Sequence, residues 1–182
     1  MNVTPDLDAR FREAALREGL VDVRYDVVDS PVGSLFVAAT GRGLCRISYQ
    51  PDGMEESLAR TFGARVLRSP LDEVRRELDE YFEGRRQEFD LPIDLRVAPF
   101  HADVLAELAR VPYGRTETYG SLAAKVGRPK AARAVGTVMN RNPIPIVLPC
   151  HRIVGANGSL TGYAGGLDVK LRLLQLEGAM LA

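Results

Sequence analysis

From Asn142 to Arg152 the chain reads Asn-Pro-Ile-Pro-Ile-Val-Leu-Pro-Cys-His-Arg. Pro143, Pro145 and Pro149 lack backbone donors, and each ring clashes with a preceding helical turn, so no helix can run through here. Ile144, Ile146, Val147 and Leu148 make the stretch apolar. The pattern predicts a rigid, extended, buried segment that delivers Cys150 with His151 directly behind it. The fold must be built around that segment. Gly155, Asn157, Gly158, Gly162, Gly165 and Gly166 follow, a density of glycine that lets backbone approach a ligand closely.

The flanking sequence shows how such a segment can be held. Before it, Phe100, Val104, Leu108 and Val111 recur at helical spacing until Pro112-Tyr113-Gly114 breaks the helix. Thr118 is placed to cap a short helix containing Leu122, Ala123 and Val126, ended by Gly127. Pro129 suits the first turn of another helix, with Ala131, Ala134, Val135 and Val138 inward. Two short helices joined by Gly-Arg-Pro make a helix-turn-helix candidate, although such pairs also occur in ordinary cores. After the segment comes a last helix, expected to be capped by Asp168, with Leu171, Leu174 and Leu173 inward and an end near Glu177.

The first half differs in character. Residues 1–20 read as a helical extension: Thr4 as cap, Pro5 in the first turn, Leu7, Phe11 and Ala14 on one face, Gly19 as stop. Val21, Val23, Tyr25 and Val27 alternate as a strand. Turn chemistry at Ser30-Pro31-Val32-Gly33 follows, then strands over 35–39 and 44–49 joined through Gly41-Arg42-Gly43. Helices are expected over 52–62 and after Ser69-Pro70, the second with a stripe of Leu71, Val74, Leu78, Tyr81 and Phe82. Gln87, Phe89 and Leu91 suggest one more strand before a connector at 92–99. The expected organisation is an extension (1–20), a small acidic α/β domain (21–96) and a second domain (97–182).

Composition narrows the class. The 182 residues are 46% hydrophobic, enough to bury a core, which argues against disorder. No apolar run nears the roughly 18 residues of a membrane span, and the start lacks the basic, then apolar pattern of a secretory signal. A soluble, cytoplasmic protein is expected. Cys45 and Cys150 make no disulfide scaffold, and with only His101 and His151 the chain assembles no local zinc site of ordinary spacing. Cys45, in a strand, reads as a buried structural thiol. The zero net charge hides an asymmetry. Residues 1–96 carry 14 basic and 19 acidic side chains, whereas residues 97–182 carry 10 and 5. Eight basic residues against the single acid Glu117 fall within 110–152. Such a segment suggests a polyanion, with a plainly solvated face as the other reading.

Cys150, His151 and Glu177 supply a thiol, a base and an orienting carboxylate. Adjacent residues on an extended chain point to opposite sides, so a bridging water suits Cys150 and His151 better than direct contact. An isolated pair of this kind is more often a buried cysteine beside a core histidine.

The whole set resembles the O6-alkylguanine-DNA alkyltransferases, the methylated-DNA–protein-cysteine S-methyltransferase family. Asn142-Pro143 and Pro149-Cys150-His151-Arg152 carry the likeness, with Val111-Pro112-Tyr113-Gly114, Thr118-Tyr119-Gly120, the run from Pro129 to Gly136, and Tyr163-Ala164-Gly165-Gly166. Asp29 to Gly33 and Tyr81-Phe82 match more loosely. The resemblance implies an α+β fold. It has a ribonuclease-H-like N-terminal domain, antiparallel sheet plus helices, and a mostly helical C-terminal domain with a winged-helix-like helix-turn-helix. It implies direct-reversal repair: irreversible, single-turnover transfer of an alkyl group from O6-alkylguanine in double-stranded DNA to Cys150, with O4-alkylthymine as a further candidate substrate.

By the same resemblance His151 and Glu177 activate the thiol through water, Tyr119 reaches the base and Asn142 braces the turn. Arg133 fills the space left by the flipped nucleotide. Ala131, Ala132 and Gly136 allow close approach to the minor groove, and Lys125, Arg128, Lys130 and Arg141 meet phosphates. Met139, Cys150, Ile153, Tyr163, Ala164 and Gly165 form the substrate pocket, with a void beside the sulfur large enough for a purine. No cofactor, metal or membrane is implied, and a nucleoid-associated monomer is expected. The chain departs from many bacterial relatives in having Phe100-His101 and no tryptophan, and Ala164 stands where many have serine. Rival readings are a module that binds alkylguanine without transfer, a helix-turn-helix regulator and a cysteine hydrolase. Cys150 opposes the first, and neither of the others explains the full motif set.

Overall fold

The computed structural model describes residues 5–63 and 65–180. Helix α1 (Pro5–Arg17) leads in. Thr4 and the Leu7 side chain lie outside what is described. The expected face is not the buried one: Phe11 is 68% exposed and Ala14 half-buried, whereas Ala15 is buried. Gly19, at φ +65°, turns the chain out of the helix, and the Leu20 amide donates back to Ala15.

Strands β1 (Val23–Val28), β2 (Leu35–Thr40), β3 (Gly43–Ser48) and β4 (Val66–Arg68) form a sheet ordered β3-β2-β1-β4. The first three are antiparallel, and β4 joins β1 in parallel. Central β2 is buried at every position, because both sheet faces are covered. Helix α2 (Met54–Phe62) packs Leu58 with Val23, Phe36, Ala38 and Cys45 on one face. Helix α3 (Asp72–Phe82) sets Val74, Leu78 and Tyr81 against the other, where Val28, Leu35 and Val37 lie. Cys45 is the extra residue of a bulge opposite Ala38 and Ala39. Its thiol donates to the Ala38 carbonyl at 3.3 Å, and burial pushes its pKa up to about 12. It is the inert structural thiol the sequence implies.

The strand expected at 87–91 does not form, and β4 takes the fourth place in the sheet. The 87–91 stretch is instead tied down locally, the Asp90 amide donating to buried Glu77 at 2.9 Å. Gly43 holds the connector in place. At φ +140°, a Cβ there would stand 2.2 Å from the Pro92 carbonyl oxygen, which accepts from the Leu44 amide at 2.7 Å.

In the second half, α4 (Pro99–Leu108), α5 (Tyr119–Lys125) and α6 (Ala132–Asn140) pack together, and α7 (Leu167–Leu176) closes the chain. The Thr118 hydroxyl caps α5 by accepting from the Ser121 amide at 3.1 Å. Gly127, at φ +72°, turns the chain towards α6. Two expectations fail here. Pro129 lies in the turn before α6 rather than in its first turn, and Ala134 faces solvent. Short strands β5 (Glu117–Thr118) and β6 (Ile153–Val154) pair in parallel and bring the Cys150 region beside α5. At α7 the cap position is Gly166, with Asp168 inside the first turn; Leu173 and Leu174 are buried and Leu171 only half-buried. The main core is continuous across both halves, from Val28 and Tyr81 to Val104, Met139 and Cys150. No helix among the described residues is long and apolar enough to cross a membrane.

Candidate active site

The proline-rich segment folds back on itself instead of running extended. The Leu148 amide donates to the Ile144 carbonyl at 2.9 Å, and Ile146 takes φ +76°, a conformation that costs a branched residue energy. Asn142 holds this turn from inside. Its Nδ2 donates to the Leu148 carbonyl at 2.8 Å, and its Oδ1 accepts from the Ile144 amide at 3.0 Å. These two bonds brace the turn. Cys150–Arg152 then form one 3₁₀ turn, which fans three consecutive side chains in different directions into the core.

Two of the three, His151 and Arg152, meet Glu177 at the C-terminus of α7. His151 Nε2 stands 2.8 Å from Glu177 Oε1. Arg152 grips the same carboxylate with two bonds of 2.9 Å, Nε to Oε2 and Nη2 to Oε1, and donates Nη1 to the Val111 carbonyl at 2.6 Å. The Tyr81 hydroxyl, arriving from α3, donates to Oε1 at 2.7 Å. The Gly114 amide reaches Oε2 at 3.3 Å. Gly114 must be glycine: its φ is +71°, and a Cβ would stand 2.9 Å from the Glu177 carbonyl.

Tyr81, His151, Arg152 and Glu177 are all buried, and Gly114 is half-buried. Burial would raise the Glu177 pKa, but bonds from His151 and Arg152 outweigh it and hold the carboxyl down at about 2. Burial lowers the His151 pKa, against the pull of Glu177. His151 is therefore a neutral imidazole. An ionised Glu177 can only accept, so it fixes the proton on Nε2 and leaves the Nδ1 lone pair as the base. Nδ1 is buried and has no protein hydrogen-bond partner.

Cys150 is 3% exposed, and burial pushes its thiol up to about 11, opposed by a bond from Asn142 and by the charge of Lys170. Lys170 is wholly buried in α7 and donates to the carbonyls of Ile153 (2.5 Å) and Thr161 (2.9 Å). Burial lowers its pKa to about 8. At rest the thiol is protonated, so chemistry at this sulfur needs a base.

Arg133, Lys130, Arg128, Lys125 and Arg141 are all exposed. Arg133 lies on the outer face of α6 with Ala132 and Gly136, and these line a groove of about 440 Å³ with Tyr119, Asn140 and Thr161. The Tyr119 hydroxyl accepts from Thr161 at 3.1 Å, and its ring lies against Gly136. Ala131 precedes the helix. Two of the cations have partners within the chain: Lys125 bonds Glu117, and the Arg128 guanidinium sits 5.2 Å above the Phe100 ring.

The expected open void beside the sulfur is absent from the cavities that site residues line. Neither the groove at Arg133 nor a second cavity of about 190 Å³ near Arg46, Asn142 and Ala164 has Cys150 in its wall. Met139, Cys150 and Ile153 are buried. Ala164 is exposed, and Tyr163 and Gly165 are half-buried. Tyr163 packs down on this core. Sequence reasoning also passed over Arg152, Tyr81 and Lys170. A signal existed for each. Arg152 sits inside the motif, and a buried tyrosine hydroxyl needs a partner. Lys170 shares a helical face with Leu173, Leu174 and Glu177.

A strand-and-helix domain joined to a helix-turn-helix domain, with a buried thiol beside a carboxylate-oriented histidine, defines a nucleic-acid-binding fold equipped for nucleophilic chemistry. The 6-O-methylguanine DNA methyltransferase DNA-binding domain matches residues 99–179, and the ribonuclease-like domain of the same family matches residues 23–95. The chain belongs to this family. It is 43% identical over 162 residues to the methylated-DNA–protein-cysteine methyltransferase of Mycolicibacterium paratuberculosis, covering 85% of this chain and 92% of that one. With that of Methanosarcina acetivorans it shares 40% identity over 163 residues, covering 85% and 98%. The crystal structure of Mycobacterium tuberculosis O6-methylguanine methyltransferase superposes with a TM-score of 0.77 at 40% identity, covering 86% and 93%. A Mycobacterium tuberculosis OGT solved in complex with DNA gives the same TM-score at 39% identity.

Proposed function

We propose that this protein repairs double-stranded DNA by taking the alkyl group from O6 of guanine onto Cys150, once per molecule. The observation that carries this reading is the Cys150-His151-Glu177 arrangement within a chain of this family. The thiol proton passes to His151 Nδ1 through an ordered water, and Glu177, itself gripped by Arg152, holds the ring for it. Sulfur then attacks the alkyl carbon, the S–C bond forming as the C–O6 bond breaks, and the electron pair leaves with guanine. A hydroxyl donor, Tyr119, offsets the charge developing on the base. The product is a thioether that nothing at the site hydrolyses, so the protein is consumed.

The alkyl carbon lies inside the duplex, and the sulfur is buried, so the nucleotide must be turned out. Helix α6 serves this step. Ala132 and Gly136 permit close approach to the minor groove, whose degenerate pattern suits a protein acting in any sequence. Arg133 occupies the vacated stack. Lys130 and Arg141 meet phosphates, with Lys125 and Arg128 exchanging their intramolecular partners on binding.

The test is mass spectrometry after incubation with a duplex carrying O6-methylguanine. Wild type gains a single methyl on Cys150, none on Cys45, and titration ends at one methyl per protein. Cys150→Ala gains none. Repeated turnover, or labelling of the alanine variant, refutes the reading.

A further inference from the structure

Two tyrosines from opposite halves of the chain pack on the core that holds Cys150, and both feel its charge. Tyr49 follows β3, and Tyr163 lies in the glycine-rich stretch before α7. Their hydroxyl oxygens are 2.6 Å apart. Their rings meet edge to face, with centroids 5.7 Å apart at 61°. The Tyr49 ring lies so close over Gly165 that a Cβ there would stand 2.9 Å from its Cε2. Both rings pack on the core cluster that contains Cys150. The flanks are anchored as well. The Ile47 amide at the end of β3 donates to the Pro143 carbonyl at 2.9 Å, and Lys170 holds the Thr161 carbonyl on the other side. Tyr163 is therefore held against the acceptor region by a bond that reaches across the molecule.

We propose that Tyr49 is a positioning residue that sets alkyl-group specificity: by bonding Tyr163 it limits the room beside Cys150 and favours methyl over larger groups. This rests on Cys150 being the alkyl acceptor. Burial and the neighbouring Cys150 keep both phenols protonated, so the bond between them persists through the working pH range. A methyl group adds little volume to the sulfur. A benzyl group needs Tyr163 to move away, which breaks its bond to Tyr49 and separates two packed rings. The energy of that contact is thus a penalty paid by large alkyl groups alone.

The test compares wild type, Tyr49→Phe and Tyr49→Ala. Single-turnover rates are measured with one duplex sequence carrying either O6-methylguanine or O6-benzylguanine. Tyr49→Phe keeps the ring over Gly165 and removes only the hydroxyl. The benzyl-to-methyl rate ratio is expected to rise about five-fold in Tyr49→Phe, the equivalent of one ordinary net hydrogen bond, and further in Tyr49→Ala. A ratio within about two-fold of wild type in Tyr49→Phe overturns the proposal. A second measurement needs no DNA. Iodoacetamide labelling of Cys150, referenced to Cys45 in the same molecule, should quicken in Tyr49→Phe, and an unchanged rate also overturns the proposal. If wild type takes no methyl onto Cys150, the reading of function fails, while the labelling still decides whether Tyr49 shields that thiol.

Discussion

Glu177→Gln is the most informative change to the buried network. The glutamine is nearly the same size, so no cavity opens. What changes is charge and acceptor capacity. The carboxylate receives Arg152 twice, Tyr81 once and Gly114 once, and it pairs with His151. A glutamine offers a single acceptor oxygen and places an NH₂ against these donors. Arg152 is then a buried cation without a counter-charge, which costs about 3–5 kcal/mol. Linkage gives a similar size. Glu177 has a pKa of about 2 in the fold against 4.5 for the free group, worth on the order of 3 kcal/mol at ~1.4 kcal/mol per unit. The folded pKa is depressed, so that stability is present above about pH 4.5 and is lost as pH falls through the folded value. Urea titration at pH 7 should show a loss of about 3 kcal/mol, and melting should fall by roughly 6–12 °C for a chain of this length. The acid limb of the wild-type stability profile should flatten in the variant. Adding Arg152→Met should restore part of the loss by removing the stranded charge. Glu177→Gln within about 1 kcal/mol of wild type, or strictly additive effects in the double variant, would refute the account of the network.

Two further outcomes follow from the same geometry. His151 has a lowered pKa, so the base form survives below the ordinary histidine range near ~6.5. The transfer rate should hold its plateau through neutral pH and fall only in more acid solution, as protonation removes the base; a rate climbing ten-fold per pH unit from 7 to 9 would mean direct titration of the thiol. Arg133→Ala should slow transfer from duplex DNA by about 10–100-fold, since extrusion costs a few kcal/mol, while leaving reaction with the free base O6-benzylguanine unchanged. Equal loss on both substrates would remove Arg133 from the flipping step.

Much of the fold is legible in local chemistry. Thr118 caps its helix, Gly19 and Gly127 end theirs, and the β2–β3 hairpin falls where its turn residues place it. The misses share a cause. The 87–91 stretch has strand-like alternation, but β1 offers its free edge to Val66–Arg68. The proline segment reads as extended because prolines exclude helix, but its apolar residues fold equally well into a turn, and Asn142 supplies the bonds that make one. Ala134 lies in the first turn of α6, at the exposed end of the face on which Val135 and Val138 are buried.

The sequence by itself determined which groups are available: a thiol, a histidine and an arginine in one rigid motif, a basic helix-turn-helix, and glycines where backbone must come close. Each is local, set by residue type and by spacing of a few positions. Only the tertiary structure decided their electrostatics. Tyr81 and Glu177 meet across 96 residues, and Tyr49 and Tyr163 across 114. Such contacts leave no periodic trace, because they arise when two separately patterned faces are pressed into one core, where bonds from His151 and Arg152 keep Glu177 an anion while burial keeps His151 a neutral base and Cys150 a protonated thiol.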